Sequence, residues 1–165
     1  MSIWREIQTL VRSFGFALRG IGYGIWTQRN LRIHLVALLT VIVFNRIAQL
    51  SVTHWCVELL CCMLVISLEL VNTALEAACD KFSPEQHPLI GHAKDAAAGA
   101  VLAAAIGAVV IALLIYFYGG DYPEHTKAFF AAHGHGWVKP ALLAGYVLAA
   151  GFVFLPSVIR KQKTR

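Results

Sequence analysis

The sequence lacks several features that would assign it to common classes of protein. Charged residues are scarce, at 14% of the 165-residue chain. Neither a P-loop nor a GxGxxG fingerprint occurs, so any phosphate has to be held by metal ions and side chains rather than by a glycine-rich loop. The four cysteines have no paired CxxC spacing, which argues against a zinc site and a disulfide framework. No nucleic-acid-binding motif accompanies the net charge of +5.

Apolar sequence is abundant instead. Hydrophobic residues make up 58% of the chain, and the mean hydropathy is +0.65. A helix needs about 20 mostly apolar residues to cross a bilayer, and apolar spans can be drawn over residues 33–50, 52–79, 96–118 and 138–159. The sequence therefore predicts an all-α integral membrane helical bundle. At this length the chain forms one compact unit rather than two soluble domains.

The basic residues predict the orientation of these spans. Most lysines and arginines fall in the N-terminal stretch, in the loop after the second span and in the C-terminal tail, whereas only Arg46, Lys127 and Lys139 lie on the other side. Because positively charged loops stay in the cytoplasm, we expect both termini and the loop after the second span to be cytoplasmic.

An amphipathic pattern precedes the first span. Apolar residues recur at helical spacing from Trp4 to Leu18, with arginines between them. This pattern predicts a helix in the membrane interface rather than a signal peptide, since it has neither an uninterrupted apolar core nor a small-residue cleavage site. Gly20, Gly22 and Gly24 follow, and we expect the chain to bend there before it enters the bilayer.

A polar stripe at the end of the second span is the main candidate for a functional site. It consists of Glu69, Asn72, Thr73, Glu76 and Asp80, which fall on one face of a helix. Ionisable groups in or near a membrane are costly and usually face a protein interior or a water-filled cavity. The alternative is that these side chains lie at the membrane boundary, where they cap the helix or extend to the interface. This alternative explains Asp80 alone better than it explains the whole stripe.

A second polar cluster follows the stripe. Pro84 and Pro88 interrupt residues 83–88 and predict a cytoplasmic loop. Lys94 and Asp95 come next, at the start of the third span, where a lysine can neutralise phosphate. Alternatively, Asp95 complements the helix N-terminus and Lys94 is a positive-inside anchor. The predicted outer loop carries three histidines, for which a solvated loop is favoured over a metal site: His125, His133 and His135.

In these motifs the chain resembles the prokaryotic diacylglycerol kinase family, which includes the undecaprenol kinases. The matching pieces are residues 29–35, the run Glu69-Leu70-Val71-Asn72-Thr73-Ala74-Leu75-Glu76, Asp80, residues 83–88 and residues 93–101. The resemblance covers roughly residues 10 to 118. It implies a core at residues 1–118, with a surface helix and three transmembrane helices, and a homotrimer with active sites between protomers. Residues 119–165 then add an outer loop, a fourth transmembrane helix and a basic tail.

The resemblance also implies an activity and residue roles. A bacterial inner-membrane enzyme would transfer the γ-phosphate of ATP, with Mg²⁺, to the hydroxyl of a membrane lipid alcohol. Glu69 would be the general base, with Asn72 and Asp95 as further catalytic residues. The implied nucleotide contacts are Gln28, Glu76, Glu85, Gln86, His87, Lys94 and Asp95. The implied metal ligands are Glu76 and Gln28, and the implied lipid contacts are Arg19, Arg32, Glu69 and Ala98.

One position departs from the family pattern, and two questions stay open. Many members carry a glutamate where this chain has Gln28, which predicts weaker or differently organised Mg²⁺ binding. The resemblance implies diacylglycerol or undecaprenol as the acceptor, and the loop at residues 83–88 and the alanine-rich third span resemble the undecaprenol kinase branch more closely. Two other classes of function also fit the stripe: a proton- or ion-coupled transporter with a relay of Glu58, Glu69 and Glu76, and a non-enzymatic membrane subunit.

Overall fold

The computed structural model describes residues 3–82, 87–133 and 136–163, with side chains described as far as Phe154 except that of Lys139. All regular structure in these residues is helical, which confirms the predicted all-α bundle. The helices are α1 (Ile3–Thr27), α2 (Arg29–Ala48), α3 (Val52–Phe82), α4 (Pro88–Tyr118), α5 (Tyr122–His133) and α6 (Val138–Lys163).

Three of these helices, α2, α3 and α4, are long and apolar enough to cross a membrane. They match the first three predicted spans, although α4 begins eight residues earlier than its predicted span because Pro88 at its first position is pre-organised for a helix. The apolar part of α6 that is described, Pro140–Phe154, is shorter. The fourth span is therefore a helix, and its crossing of the membrane stays a prediction.

The N-terminal helix is confirmed as amphipathic, but the expected bend at the glycines is wrong. Helix α1 continues through all three glycines to Thr27, and the chain turns at the extended residue Gln28. Gly24 serves close packing instead, because a Cβ atom there would lie 2.8 Å from the Cδ2 atoms of Leu31 and Leu70. The glycine lets α1 approach α2 and α3, so the start of α2 is held against the body of the bundle.

A tight turn joins α2 to α3 at the other end of the bundle. Gln49 adopts the left-handed conformation, with φ of 55°, and its N–H and that of Leu50 both donate to the carbonyl oxygen of Asn45. Behind this turn lies a small core of Ala48, Leu50, Ile115 and Tyr122. This end of the bundle, which we call the Gln49 end, is thus closed by packing between α2, α4 and α5.

The segment predicted as an outer loop contains helix α5, which corrects that expectation. Pro123 and Glu124 in its first turn are favourable at a helix start. The Tyr122 hydroxyl lies 2.7 Å from Nδ1 of His54, and Nδ1 of His125 lies 3.3 Å from the carbonyl oxygen of Ala48. These contacts fix α5 on the Gln49 end. No cluster of three metal-binding side chains occurs among the described residues, from which His135 is excluded.

Candidate active site

The polar stripe of α3 lies on one helix face, as the sequence predicts. Glu69 is only 3% exposed, and Asn72 and Thr73 are also buried. The Thr73 hydroxyl donates to the backbone carbonyl of Glu69 at 2.8 Å, so its polar group is satisfied within the helix. Glu76 is half-buried and Asp80 is exposed. The stripe therefore runs from the protein interior to the surface, with Glu69 at its deepest point.

Glu69, Asn72 and Glu76 line one pocket of about 300 Å³ between α2, α3 and α4. The other walls come from the start of α2 and from the small and aliphatic residues of α4. These further lining residues are Asn30, Ile33, His34, Ala98, Val101, Leu102 and Ala105. The pocket thus combines two carboxylates and a carboxamide with an apolar wall, an arrangement that suits an amphipathic ligand.

The Glu76 carboxylate is held from two sides. Asn72 donates from Nδ2 to its Oε1 at 3.1 Å, and Gln28 donates from Nε2 to its Oε2 at 3.3 Å. This leaves the amide oxygen Oδ1 of Asn72 buried and without a hydrogen-bond partner. A buried acceptor without a partner is costly, so this oxygen is available to a ligand that brings a positive charge or a hydrogen-bond donor.

These three side chains fit a magnesium site. Mg²⁺ is bound in proteins by hard oxygen atoms, commonly from one or two carboxylates together with phosphates and water. The Glu76 carboxylate, the orphaned Oδ1 of Asn72 and the amide oxygen of Gln28 are all of this type. Only Glu76 carries a charge, so the protein itself contributes one negative charge to the ion.

The predicted nucleotide residues of α4 lie at the open end of the stripe. Lys94 forms an ion pair with Asp80, with 2.8 Å between Nζ and Oδ1, and Asp95 is exposed. The ring of His87 caps α4 by accepting from the N–H of Leu89 at 3.3 Å. A helix cap and a surface ion pair are therefore present at this end. The alternative role of Asp95 at the helix N-terminus is wrong, because α4 begins at Pro88 and His87 provides the cap. Glu85 and Gln86 lie outside the described residues.

Only two of the predicted lipid contacts, Glu69 and Ala98, line the pocket. Arg32 is buried and faces elsewhere: its Nη1 donates to the carbonyl oxygen of Ile25 at 2.8 Å, and its Nε donates to that of Val153 at 3.1 Å. Arg19 lies on the exposed surface of α1, over the ring of Phe16. In this chain both arginines have structural contacts and neither lines the pocket.

The sequence analysis did not single out His34 and Asn30 as pocket residues, although both lie in the matching motif of residues 29–35. They are four residues apart at the start of α2 and so share a helix face, which was the available signal in the motif of residues 29–35. His34 also lines a second, mainly apolar cavity of about 170 Å³ that contains Glu58. Glu58 lies about 16 Å from Glu69 along α3, at 1.5 Å per residue, and does not line the Glu69 pocket.

Comparison with known proteins identifies the family of this chain. The family model "Prokaryotic diacylglycerol kinase" matches residues 15–116. The undecaprenol kinase of Bacillus subtilis is 39% identical over 111 residues, which are 67% of this chain and 90% of that protein. The diacylglycerol kinase of a Synechocystis strain is 42% identical over 109 residues, 66% of this chain and 62% of that protein. That of Escherichia coli K12 is 30% identical over 101 residues, 61% of this chain and 83% of that protein.

No solved structure matches the chain. The family match contains every described residue of the pocket and ends before α5. A kinase family gives no support to the alternative of a proton- or ion-coupled transporter. The match covers well over half of the sequence, and its relatives are kinases of lipid alcohols. The chain therefore belongs to the prokaryotic diacylglycerol kinase family of lipid kinases.

Proposed function

We propose that this lipid kinase transfers the γ-phosphate of ATP to the primary hydroxyl of a membrane lipid, with Glu69 as the general base. The observation that carries the proposal is the pocket itself, in which buried Glu69 and half-buried Glu76 lie on one face of a membrane-spanning helix. Phosphoryl transfer needs positioning and charge neutralisation more than covalent chemistry from the protein. Without a P-loop, the side chains of this pocket would have to meet these needs.

The depth of the two carboxylates suggests a division of labour. Glu69 and Glu76 are seven residues apart, or about 10 Å along the helix axis. The deeper Glu69 would accept the proton of the lipid hydroxyl while the hydroxyl oxygen bonds to the γ-phosphorus and the bond to the ADP oxygen breaks. Glu76, nearer the surface, would lie at the phosphates. The apolar wall of α4 at Val101 and Ala105 would accommodate the lipid next to the hydroxyl.

Metal binding follows from the donor set around Glu76. The Glu76 carboxylate and the amide oxygens of Asn72 and Gln28 would hold Mg²⁺. When bound, the ion neutralises charge on the transferring phosphate. Lys94 of α4 pairs with Asp80 at the open end of the stripe. It would exchange this partner for a phosphate oxygen.

We further propose that the site faces the cytoplasm of a bacterial inner membrane, where ATP is available. The support is the excess of basic residues on the α1 side of the spans. Undecaprenol and diacylglycerol both present a primary hydroxyl at the interface, and relatives named for both were found. Undecaprenol is the favoured acceptor, and the homotrimer is the proposed assembly.

The decisive experiment measures transfer of labelled phosphate from Mg·ATP to lipid in mixed micelles, with diacylglycerol and undecaprenol offered separately. Glu69→Gln should reduce the rate by about 10²–10⁴, the usual contribution of a general base. The matched control is Glu58→Gln, the same change at a buried glutamate of the same helix outside the pocket. It should retain activity.

Two outcomes would contradict the proposal. A folded wild-type protein that phosphorylates neither lipid would reject the proposed acceptors. Equal loss of activity in the Glu58 and Glu69 variants would reject the specific role of Glu69, since both changes remove only the charge of a buried carboxylate.

A further inference from the structure

An apolar groove of about 590 Å³ lies between α2 and α6, away from the active site. Its wall on α2 includes Val36 and Val43, and its wall on α6 includes Gly145 and Ala149. The hydroxyl of Thr40, one of the few polar groups in this wall, already donates to the carbonyl oxygen of Val36 at 2.9 Å. Tyr146 brings the other polar side chain of this lining, and the remaining lining residues are apolar. The groove is therefore mainly apolar and suits hydrocarbon rather than water.

The groove results from how the two helices are joined. They are linked near the start of α2 by the hydrogen bond from Arg32 to Val153, and Phe130 of α5 closes the opposite end near Ile47. Between these points α6 presents a small residue at every turn. A Cβ atom added at Gly145 would meet nothing within 4 Å, so the small residues leave open space instead of bringing the helices into contact.

The size of this space identifies the kind of occupant. A volume of about 590 Å³ is typical of sites for small molecules. Since α2 is long and apolar enough to span the membrane, lipid chains surround the groove, and its apolar lining suits a hydrocarbon chain.

A positive charge lies at one end of the same helix face. Arg29 precedes Val36 by seven residues, or about two turns, so the two share a face of α2. Arg29 is exposed and forms no ion pair with any described residue, and the first turn of α2 contains no acidic residue. An anionic headgroup beside Arg29 would therefore gain a favourable electrostatic contact while its chain occupies the groove.

We propose that the α2–α6 groove binds an anionic phospholipid, with a hydrocarbon chain along Val36, Val43 and Gly145 and the phosphate at Arg29. This site is distinct from the acceptor site, because the two cavities share no lining residue and the pocket residues Asn30 and His34 lie on another face of α2. Half of the groove is supplied by α6, which lies outside the part of the chain that matches the family. The bound lipid would fill the gap that the added helix leaves.

The test measures retention of phosphatidylglycerol and phosphatidylcholine by the purified full-length protein, using native mass spectrometry. Gly145→Leu fills the groove and should lower retention of phosphatidylglycerol by about fivefold or more. The matched control Gly151→Leu makes the same change on the same helix, outside the groove and in open space, and should retain the lipid. Arg29→Gln should abolish the preference for phosphatidylglycerol over phosphatidylcholine.

Three results would overturn the proposal. Equal retention by the Gly145 and Gly151 variants would show that the groove is not the binding site. A loss of oligomer in Gly145→Leu without a change in lipid retention would identify a second copy as the occupant. Displacement of phosphatidylglycerol by the acceptor lipid, with a raised KM for that lipid in Gly145→Leu, would assign the groove to the substrate.

Discussion

At the scale of single residues, Gln28 is the clearest peculiarity of the proposed site. Its amide donates a hydrogen bond to Glu76 and so stabilises that carboxylate without adding a charge to the site. A glutamate in its place would remove this donor and set two carboxylates side by side. Such a pair is unfavourable alone but favourable around a divalent cation.

Gln28→Glu should therefore strengthen Mg²⁺ binding. We expect the Mg²⁺ concentration for half-maximal rate to fall by roughly three- to tenfold. Mg²⁺ should also raise the melting temperature of the variant more than that of the wild type, a readout that does not depend on catalysis. Gln28→Ala serves as the control, since it removes the amide without adding charge. An unchanged or higher Mg²⁺ requirement in Gln28→Glu would contradict the assignment of Gln28 to the metal site.

Sequence alone identifies some residues of the site and misses others for a definite reason. Glu69, Asn72 and Glu76 were predictable because helical periodicity within one element places them together. The contacts of Arg32 were not, since its partner Val153 lies more than a hundred positions away in the chain. A buried arginine bonded to backbone carbonyls and an arginine poised for a lipid look the same in a sequence.

At the scale of helices, the long apolar spans were predictable and the connections were not. The three long spans follow from hydropathy, because a membrane admits few other structures. The course of α1 through Gly20, Gly22 and Gly24 depends on a tertiary contact, the close approach of Leu31 and Leu70 to Gly24, which no local pattern encodes. Helix α5 likewise depends on Tyr122, which packs into the core at the Gln49 end.

The packing of α1 can be tested at Gly24. Gly24→Val places new methyl groups against Leu31 and Leu70, and overpacking of this kind costs about 1–3 kcal/mol. Gly22→Val is the matched control, since a Cβ atom there meets nothing within 4 Å. Thermal unfolding in detergent should show a clearly lower melting temperature for the Gly24 variant only. Equal melting temperatures would mean that α1 does not pack against α2 and α3 through this glycine.

At the scale of the whole molecule, much of the apolar surface remains for lipid or for other protomers. Helix α4 is the most apolar of the spanning helices, yet only 11% of its most apolar stretch is buried within the chain. The proposed trimer would cover part of this surface. It would also allow exposed residues of α4, such as Asp95, to act in the pocket of a neighbouring protomer.

Mixing of inactive variants tests this arrangement. Glu69→Gln and Asp95→Asn should each be inactive alone. If each site combines Glu69 of one protomer with Asp95 of another, oligomers reassembled from an equal mixture should regain about a quarter of wild-type activity. The protomer that supplies Glu69 and the protomer that supplies Asp95 each carry the unchanged residue with a probability of about one half. The measurement is the lipid phosphorylation rate after the mixed proteins are dissociated and reassembled.

The control is the same mixture without reassembly, which should stay inactive. No recovery from reassembled oligomers would place both residues in the site of a single protomer.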